Sequence, residues 1–254
     1  MRKIALFISI CLLSAQTRAQ SRMDTVAVNI LDRMSQLMGE LTSVSATVHT
    51  NYDVSNRQLG LVKHSDEEHV YLRGPDKLML RSEGDKGSRA FYYNGKKLSY
   101  YSMDKNQFSE IDAPNSIIDM IDQAHNNYGI FFPIADYLYP SFVDDIIADA
   151  SDLVYLGTTT VNGKECFHIA GVAKDKTFQF WIANDPFYLP MKLVICYTNK
   201  ELNPQFEATY CDWQINPSLP DAIFDFTAPH NAKKIKMADV HHKKTTTAVK
   251  AKGK

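Results

Sequence analysis

The sequence lacks the short motifs that mark the common catalytic and cofactor-binding sites. It contains no C-x-x-C, no G-x-S-x-G, no G-x-x-x-x-G-K-[ST] and no G-x-G-x-x-G. Without C-x-x-C the usual zinc and dithiol patterns are excluded, and without the glycine motifs the Walker and Rossmann fingerprints are excluded as well. We therefore expect no catalytic residues, no bound metal and no cofactor, and a protein that is not an enzyme.

The histidines that remain do not suggest a metal site either. His241 and His242 are adjacent in a lysine-rich tail, and two neighbouring residues seldom reach one ion. His64 and His69 flank a polar stretch, and their odd spacing places them on opposite faces of a strand. Cys166 and His168 share one face of a predicted strand with parallel side chains, so they do not form a nucleophile–base pair. Solvated or structural roles are the simpler interpretation.

Basic residues are scarce in the body of the chain. The formal net charge is −1 over 254 residues, of which residues 1–19 carry +3 and residues 233–254 carry +7, leaving −11 for the rest. A groove for nucleic acid needs clustered lysine and arginine to neutralise phosphates. The acidic body therefore argues against a nucleic-acid partner.

The N-terminus has the pattern of a targeting segment. A basic Met1-Arg2-Lys3 precedes an apolar run over residues 4–15, and Thr17-Arg18-Ala19 approximates a small-x-small cleavage site. The run is short for a bilayer span. We predict a cleaved signal peptide over residues 1–19 and a periplasmic protein without a transmembrane segment; an uncleaved N-terminal anchor is the alternative.

Three cysteines follow the predicted cleavage site, and export permits disulfides. Cys196 and Cys211 flank a predicted hairpin whose turn lies near residues 199–204, and counting from that turn suggests that they lie opposite each other. A Cys196–Cys211 bridge is one expectation. The alternative is that these two and Cys166 are buried thiols that act as small hydrophobic side chains.

Periodicity divides the chain into segments. Apolar residues at helical spacing predict a helix over residues 24–41, and period-two patterns predict about six strands over residues 42–112. A helical insertion follows at about 115–150, and then a second antiparallel meander over 153–215. The composition of residues 233–254 predicts a basic, disordered tail.

The second meander supplies most of the candidate ligand-binding side chains. Its strands are separated by turn signals such as Asn162-Gly163, and Asn94-Gly95 is the matching signal in the first meander. A further strand is expected near the end, where Phe224, Phe226 and Ala228 alternate. An apolar cavity is a site for an apolar ligand. The residues expected to line one are Phe91, Tyr93, Phe178, Phe180, Ile182 and Ile195.

An ordered series of short motifs runs along residues 24–236. It comprises Arg73-Gly74-Pro75-Asp76-Lys77-Leu78, Phe91-Tyr92-Tyr93-Asn94-Gly95-Lys96, Pro133-Ile134-Ala135-Asp136-Tyr137-Leu138-Tyr139, Leu156-Gly157, Cys166-Phe167-His168-Ile169, Phe180-Trp181-Ile182, Leu189-Pro190 with Lys192-Leu193, Pro204-Gln205 and Asp212-Trp213. The series resembles a group of predicted periplasmic proteins of unknown function, DUF2092, within the LolA/LolB-type lipoprotein-carrier fold.

The resemblance implies an α+β, mainly β fold: a strongly curved antiparallel sheet, an unclosed barrel, with helices over its concave face. Residues 20–232 would form a single LolA-like domain in the periplasm. By analogy of fold, the protein would be a non-catalytic carrier for a lipid, a lipid-modified chain or another apolar ligand. The alternative is an envelope adaptor or sensor that binds a partner protein through the helical insertion.

Overall fold

The structure, a computed structural model, describes residues 22–132 and 134–238. The predicted signal segment and the tail beyond residue 238 lie outside these residues. The described chain contains β1 (Arg22–Met23), α1 (Thr25–Glu40), β2 (Ser43–Asn56), β3 (Gly60–Arg73), β4 (Lys77–Gly84), β5 (Arg89–Tyr93), β6 (Lys97–Ser102), β7 (Gln107–Asp112), α2 (Ile117–Tyr128), a 3-10 turn (Ala135–Leu138), α3 (Phe142–Asp149), β8 (Ala150–Val161), β9 (Lys164–Ala173), β10 (Thr177–Ala183), β11 (Pro190–Cys196), β12 (Gln205–Ile215), a second 3-10 turn (Asp221–Ile223) and β13 (Lys233–Lys234).

These strands form a single sheet in the order β1-β8-β9-β10-β11-β12-β2-β3-β4-β5-β6-β7-β13. The first meander is β2–β7 and the second is β8–β12. Antiparallel pairing of β12 with β2, which places Tyr210 opposite Val48, joins the two meanders. The two terminal strands β1 and β13 occupy the edges, so the sheet is not closed. The predicted fold class, an unclosed antiparallel sheet with helices on one face, is confirmed.

Helix α1 forms because its apolar side chains recur on one face. Its buried residues are Ala27, Ile30, Leu31, Met34 and Met38. At the N-terminus the Asp24 carboxylate accepts a hydrogen bond from the backbone N–H of Val26 at 2.9 Å. The same carboxylate accepts the N–H of Tyr155 on β8 at 3.3 Å. The cap therefore fixes the start of the helix and also ties it to the second meander.

The helical block between the meanders packs on the same face of the sheet. Helix α2 is capped by Ser116, whose hydroxyl accepts the N–H of Asp119 at 3.1 Å. Aromatic side chains then carry the contacts to the sheet. The Phe142 ring of α3 meets Phe180 of β10 at a centroid distance of 5.9 Å. The Phe132 ring meets Phe91 of β5 at 5.6 Å.

The expected Cys196–Cys211 disulfide is wrong. All three cysteines of the described chain are free. Cys196 lies opposite Gln205 on β12, whereas Cys211 is six residues further along that strand and lies opposite Thr47 on β2. A disulfide requires Cα atoms about 4.4–6.8 Å apart, and six residues of strand correspond to roughly 20 Å.

The expected last strand is also wrong. Phe224 follows the second 3-10 turn, and its ring lies 5.3 Å from the guanidinium carbon of Arg73. Phe226 packs among aromatic rings of β5, β6 and β7, with Tyr92 at 5.4 Å and Phe108 at 5.5 Å. The alternating aromatics thus hold an irregular segment against the sheet.

The start of the predicted disordered tail needs correction too. Lys233 and Lys234 form β13, which pairs in parallel with Gln107 and Phe108 of β7. The ammonium of Lys234 also contacts the Glu110 carboxylate at 3.1 Å. These contacts order residues 233 and 234, whose like charges had suggested disorder.

A close approach at Gly171 gives a test of the packing. Gly171 on β9 lies directly opposite Phe178 on β10, and a Cβ added at Gly171 would overlap the Phe178 ring. We expect Gly171→Ala to lower the free energy of unfolding by about 1–3 kcal/mol, because the Phe178 ring, which packs on Phe180 at a centroid distance of 5.7 Å, must shift to make room for the added methyl group. Urea unfolding measures the change.

The control is Gly39→Ala at an exposed position near the end of α1, where nothing lies within 4 Å of the added Cβ. Alanine has the higher helix propensity, so this variant should gain up to about 1 kcal/mol. An unchanged unfolding midpoint for Gly171→Ala would contradict the described contact.

Candidate ligand cavity

A cavity of about 880 Å³ lies between the sheet and the segment that carries α2. Phe91 of β5 and Leu193 of β11 both line it. Five strand spacings separate β5 from β11, which is roughly 24 Å in a flat sheet. One cavity can touch both strands only because the sheet is strongly curved. Its apolar lining includes Phe91, Ile121, Ile130, Phe132, Leu193, Ile195 and Phe206.

A second cavity, of about 540 Å³, lies beside α3. Phe142, Ile146, Phe178 and Phe180 supply much of its apolar wall. It adjoins the first cavity, because four side chains line both of them. The shared residues are Tyr139, Leu193, Ile195 and Tyr197.

Four of the six side chains expected from the sequence line these cavities. Phe91 and Ile195 line the first, and Phe178, Phe180 and Ile195 line the second. Tyr93 is fully buried and its hydroxyl donates to the carbonyl of Pro114 at 2.6 Å. Ile182 is fully buried in the continuous core. Tyr93 and Ile182 are thus packed against protein and are not among the side chains that line either cavity.

One end of the larger cavity is polar. Asp66 and Glu68 lie on the helix-facing side of β3, where Val70 and Leu72 continue the same face as apolar residues. Arg89 of β5 reaches both carboxylates. Its Nη2 lies 3.1 Å from Oδ2 of Asp66 and 3.9 Å from Oε1 of Glu68.

The two carboxylates are buried but incompletely paired. Their side chains are only 3% and 8% exposed. The Tyr52 hydroxyl donates to Oδ2 of Asp66 at 3.4 Å, whereas Oδ1 of Asp66 and Oε2 of Glu68 make no hydrogen bond of normal geometry within the described residues. The buried hydroxyl of Ser82, opposite Glu68 on β4, is close enough to the Glu68 carboxyl to lower its pKa. A buried acceptor without a donor costs about 1–3 kcal/mol.

Burial also changes the chemistry of Glu68. Desolvation raises the pKa of its carboxyl from 4.5 to about 7, the Arg89 guanidinium opposes this, and the Asp66 carboxylate adds to it. The space for the Asp66 carboxylate depends on Gly84, which lies opposite it on β4. A Cβ at Gly84 would overlap Oδ1 of Asp66.

This polar end was not predicted from the sequence, because the residues between His64 and His69 have the composition of a polar stretch. The signal was the period-two alignment of Asp66 and Glu68 with Val70 and Leu72. That alignment places two acids on the face that the apolar residues bury.

The thiols are poorly suited to nucleophilic chemistry. Burial raises the pKa of the Cys166 thiol. Burial, together with the neighbouring Asp212 carboxylate, raises the pKa of Cys211 to about 11. Both therefore remain protonated at neutral pH, whereas a nucleophilic cysteine must be a thiolate.

Two further features of the described chain concern metals and membranes. Within residues 22–132 and 134–238, no group of three or more His, Cys, Asp or Glu side chains could hold a metal ion. None of the helices described there has the length and apolarity needed to cross a bilayer.

The raised pKa of Glu68 predicts how stability depends on pH. The folded state holds this proton more tightly than the unfolded chain, so ionising Glu68 opposes folding. The cost is absent below pH 4.5, grows as the pH rises towards 7 and is constant above that. Glu68→Gln removes it. We expect this variant to match the wild type near pH 4 and to gain about 3 kcal/mol at pH 8.

Urea unfolding at the two pH values measures the difference. The control is Glu67→Gln, because Glu67 is the next residue on β3 and its side chain is 51% exposed. Its effect should stay within about 0.5 kcal/mol at both pH values. A Glu68→Gln variant that is less stable than the wild type at pH 8 would contradict the assignment.

Several solved structures are similar to the chain. Lipoprotein LppX of Mycobacterium tuberculosis has a TM-score of 0.49 and 17% identity, covering 78% of this chain and 99% of its own. A LolA superfamily protein of Nitrosomonas europaea has a TM-score of 0.37 and 11% identity, covering 79% of this chain and 97% of its own. The MucA/MucB complex of Pseudomonas aeruginosa has a TM-score of 0.45 and 13% identity, covering 80% of this chain and 62% of its own.

These TM-scores all lie below 0.5. No curated protein matches the chain in sequence. The family model described as predicted periplasmic protein (DUF2092) matches residues 27–238, which is most of the chain. The resemblance seen in the ordered motifs is confirmed, and the chain belongs to the DUF2092 family.

Proposed function

We propose that this protein is a non-catalytic binding or carrier protein of the periplasm, and that it holds the apolar chain of a lipid, a lipid-modified molecule or another apolar ligand. The observation that carries the proposal is the pair of adjoining cavities under the helices, each of which has an apolar wall. Each has a volume within the range of about 300–1,000 Å³ that is typical of small-molecule sites.

The composition of the walls supports an extended apolar ligand. Leu193 and Ile195 line both cavities, so an apolar chain in one cavity reaches the second by passing these two side chains. Burying a methylene group contributes about 0.8 kcal/mol. Twelve methylenes therefore contribute about 10 kcal/mol, which is comparable to the association cost of about 4–15 kcal/mol. Affinity should depend steeply on chain length.

The periplasmic location is supported by the description of the family and by the basic, apolar and small-residue pattern of residues 1–19. We expect the protein from an envelope fraction to begin near Gln20. N-terminal sequencing of the exported protein measures this. A chain that retains Met1 in the membrane fraction would contradict cleavage and would support an N-terminal anchor.

An alternative function, an envelope adaptor that binds a partner protein, is favoured by one observation. Phe131 in the loop after α2 is 74% exposed, and its ring is held edge-on against His125 at 4.4 Å. An ordered, exposed aromatic ring next to a cavity mouth suits a protein contact. A stoichiometric protein partner from membrane extracts that is lost in Phe131→Ala, without lipid uptake, would favour this function.

The carrier proposal predicts that affinity for an apolar ligand rises with its chain length, and that blocking the cavity weakens binding. For straight-chain alcohols of eight, ten and twelve carbons, the dissociation constant should fall more than tenfold for every two methylenes added. Ile195→Trp places a larger ring where both cavities meet and should weaken binding of the longest alcohol at least tenfold. Isothermal titration calorimetry measures both effects.

Leu156→Trp is the matched control, because Leu156 is 55% exposed and is not among the side chains that line the two cavities. It should bind all three alcohols as the wild type does. Affinity that is independent of chain length, or no uptake of any alcohol, would contradict a carrier of apolar chains.

A further inference from the structure

The hairpin between β2 and β3 extends beyond the strands on either side of it. Its ladder continues to the pair Asn56 and Gly60, whereas the pairing of β12 with β2 ends at Tyr52 and the pairing of β4 with β3 ends at Asp66. The four residue steps from Tyr52 to Asn56 carry the hairpin about 13 Å further. Tyr52 lines the larger cavity, so this hairpin tip, residues 54–62, projects beside the cavity mouth.

The hairpin tip holds apolar side chains out towards solvent. Leu59 is 74% exposed and Val54 is 37% exposed. The position of Leu59 is fixed, because its backbone N–H donates to the side-chain oxygen of Asn56 at 3.0 Å. Leu202 in the turn between β11 and β12 adds a third such side chain. It is 56% exposed, and its Cδ1 lies 3.8 Å from the place of a Cβ at Gly60. The exposed leucines therefore form one neighbouring group.

The backbone conformation of Leu202 is unusual for a leucine. Its φ is +64°, and the next residue, Asn203, has a φ of +48°. The left-handed region disfavours residues with a Cβ, and asparagine tolerates it better than leucine does. A turn of this shape favours Gly or Asn. The turn geometry thus does not account for a leucine at this position, whereas contact with an apolar surface does.

The charge of the hairpin tip differs in sign from that of the chain around it. Lys63 contacts the Asp53 carboxylate at 2.8 Å, and Arg57 at the tip is exposed. Residues 53–63 therefore carry −1 from Asp53 and +2 from Arg57 and Lys63, a net +1, within a body of −11. The turn that holds Leu202 is neutral, since it carries Lys200 and Glu201. Exposed leucines beside a cation suit the surface of an anionic bilayer.

We propose that the hairpin tip, together with Leu202, is a docking surface for an anionic lipid bilayer. Leu59 and Leu202 enter the boundary between head groups and acyl chains, and the Arg57 guanidinium meets lipid phosphates. Docking brings the cavity mouth to the bilayer, because Tyr52 and Lys200 both line the larger cavity. The use of the contact, transfer of an apolar chain between the bilayer and the cavity, rests on the proposed carrier function, whereas the contact itself does not.

Tryptophan fluorescence tests which end of the molecule enters the bilayer. The vesicles contain equal parts of phosphatidylglycerol and phosphatidylcholine, with or without bromine on the acyl chains, and the protein is the full chain from Gln20. We expect Leu59→Trp to add emission that shifts to the blue with vesicles and is quenched by the bromine. Phe187→Trp is the matched control, because Phe187 is 53% exposed in the turn at the other end of β11. It should add no quenching to that of the two native tryptophans.

Sedimentation with the same vesicles measures the affinity of further variants. Leu59→Ser should bind at least fivefold more weakly, because it loses the buried apolar surface. Arg57→Gln should bind about threefold to fivefold more weakly at low salt, and the difference should shrink as salt is added. Leu202→Asn should also lose at least fivefold in affinity. Its urea unfolding midpoint should not fall, because asparagine adopts the left-handed conformation more readily.

Several results would overturn the docking surface. Among them are equal quenching of Leu59→Trp and Phe187→Trp, and vesicle affinity that is unchanged in both Leu59→Ser and Leu202→Asn, which would assign binding to the lysine-rich tail. A protein partner that requires Leu59, without any vesicle binding, would assign the hairpin tip to a protein contact. A protein that binds the alcohols but no vesicles would overturn docking and leave the carrier function standing. Vesicle docking without uptake of any alcohol would overturn the carrier function and leave the docking surface standing.

Discussion

The structure depends on a mismatch between the width of one sheet and the length of the helices that cover it. Thirteen strands at about 4.8 Å spacing would extend over roughly 58 Å if the sheet were flat. The helices have sixteen, twelve and eight residues, which correspond to lengths of about 24, 18 and 12 Å. So little helix cannot cover so wide an apolar face. The sheet therefore bends around the helices, and the space that they leave open becomes the adjoining cavities.

The burial of Asp66 and Glu68 departs from the rule that the helix-facing side of the sheet is apolar. Their β3 neighbours Val70 and Leu72 bury apolar surface, whereas the two acids place charge against an apolar space. Departures from local rules of this kind concentrate at functional sites. Gly84 leaves the room that the Asp66 carboxylate needs.

The sequence predicted the local elements well because their signals are local. The stripe from Ala27 to Met38 predicts α1, and turn signals such as Asn94-Gly95 locate the hairpins. The failures have two causes, a wrong strand register and contacts between distant segments. The Cys196–Cys211 pairing failed because equal counting from the turn leads from Cys196 to Gln205. The prediction of a strand at Phe226 failed because its ring packs on aromatic rings of β5, β6 and β7, which lie far away in the sequence. The cavities themselves arise from the curvature of the sheet, which no local pattern encodes.

The two edges of the sheet have a consequence for how copies of this protein behave beside one another. At one edge β1 pairs with only two residues of β8, and β8 itself shifts register at two places. At the other edge β13 covers only Gln107 and Phe108 of β7. Regular, open edges recruit strands from neighbouring molecules, and interrupted edges oppose this. The short and interrupted strands at both edges of this sheet therefore oppose strand pairing between neighbouring copies of the chain.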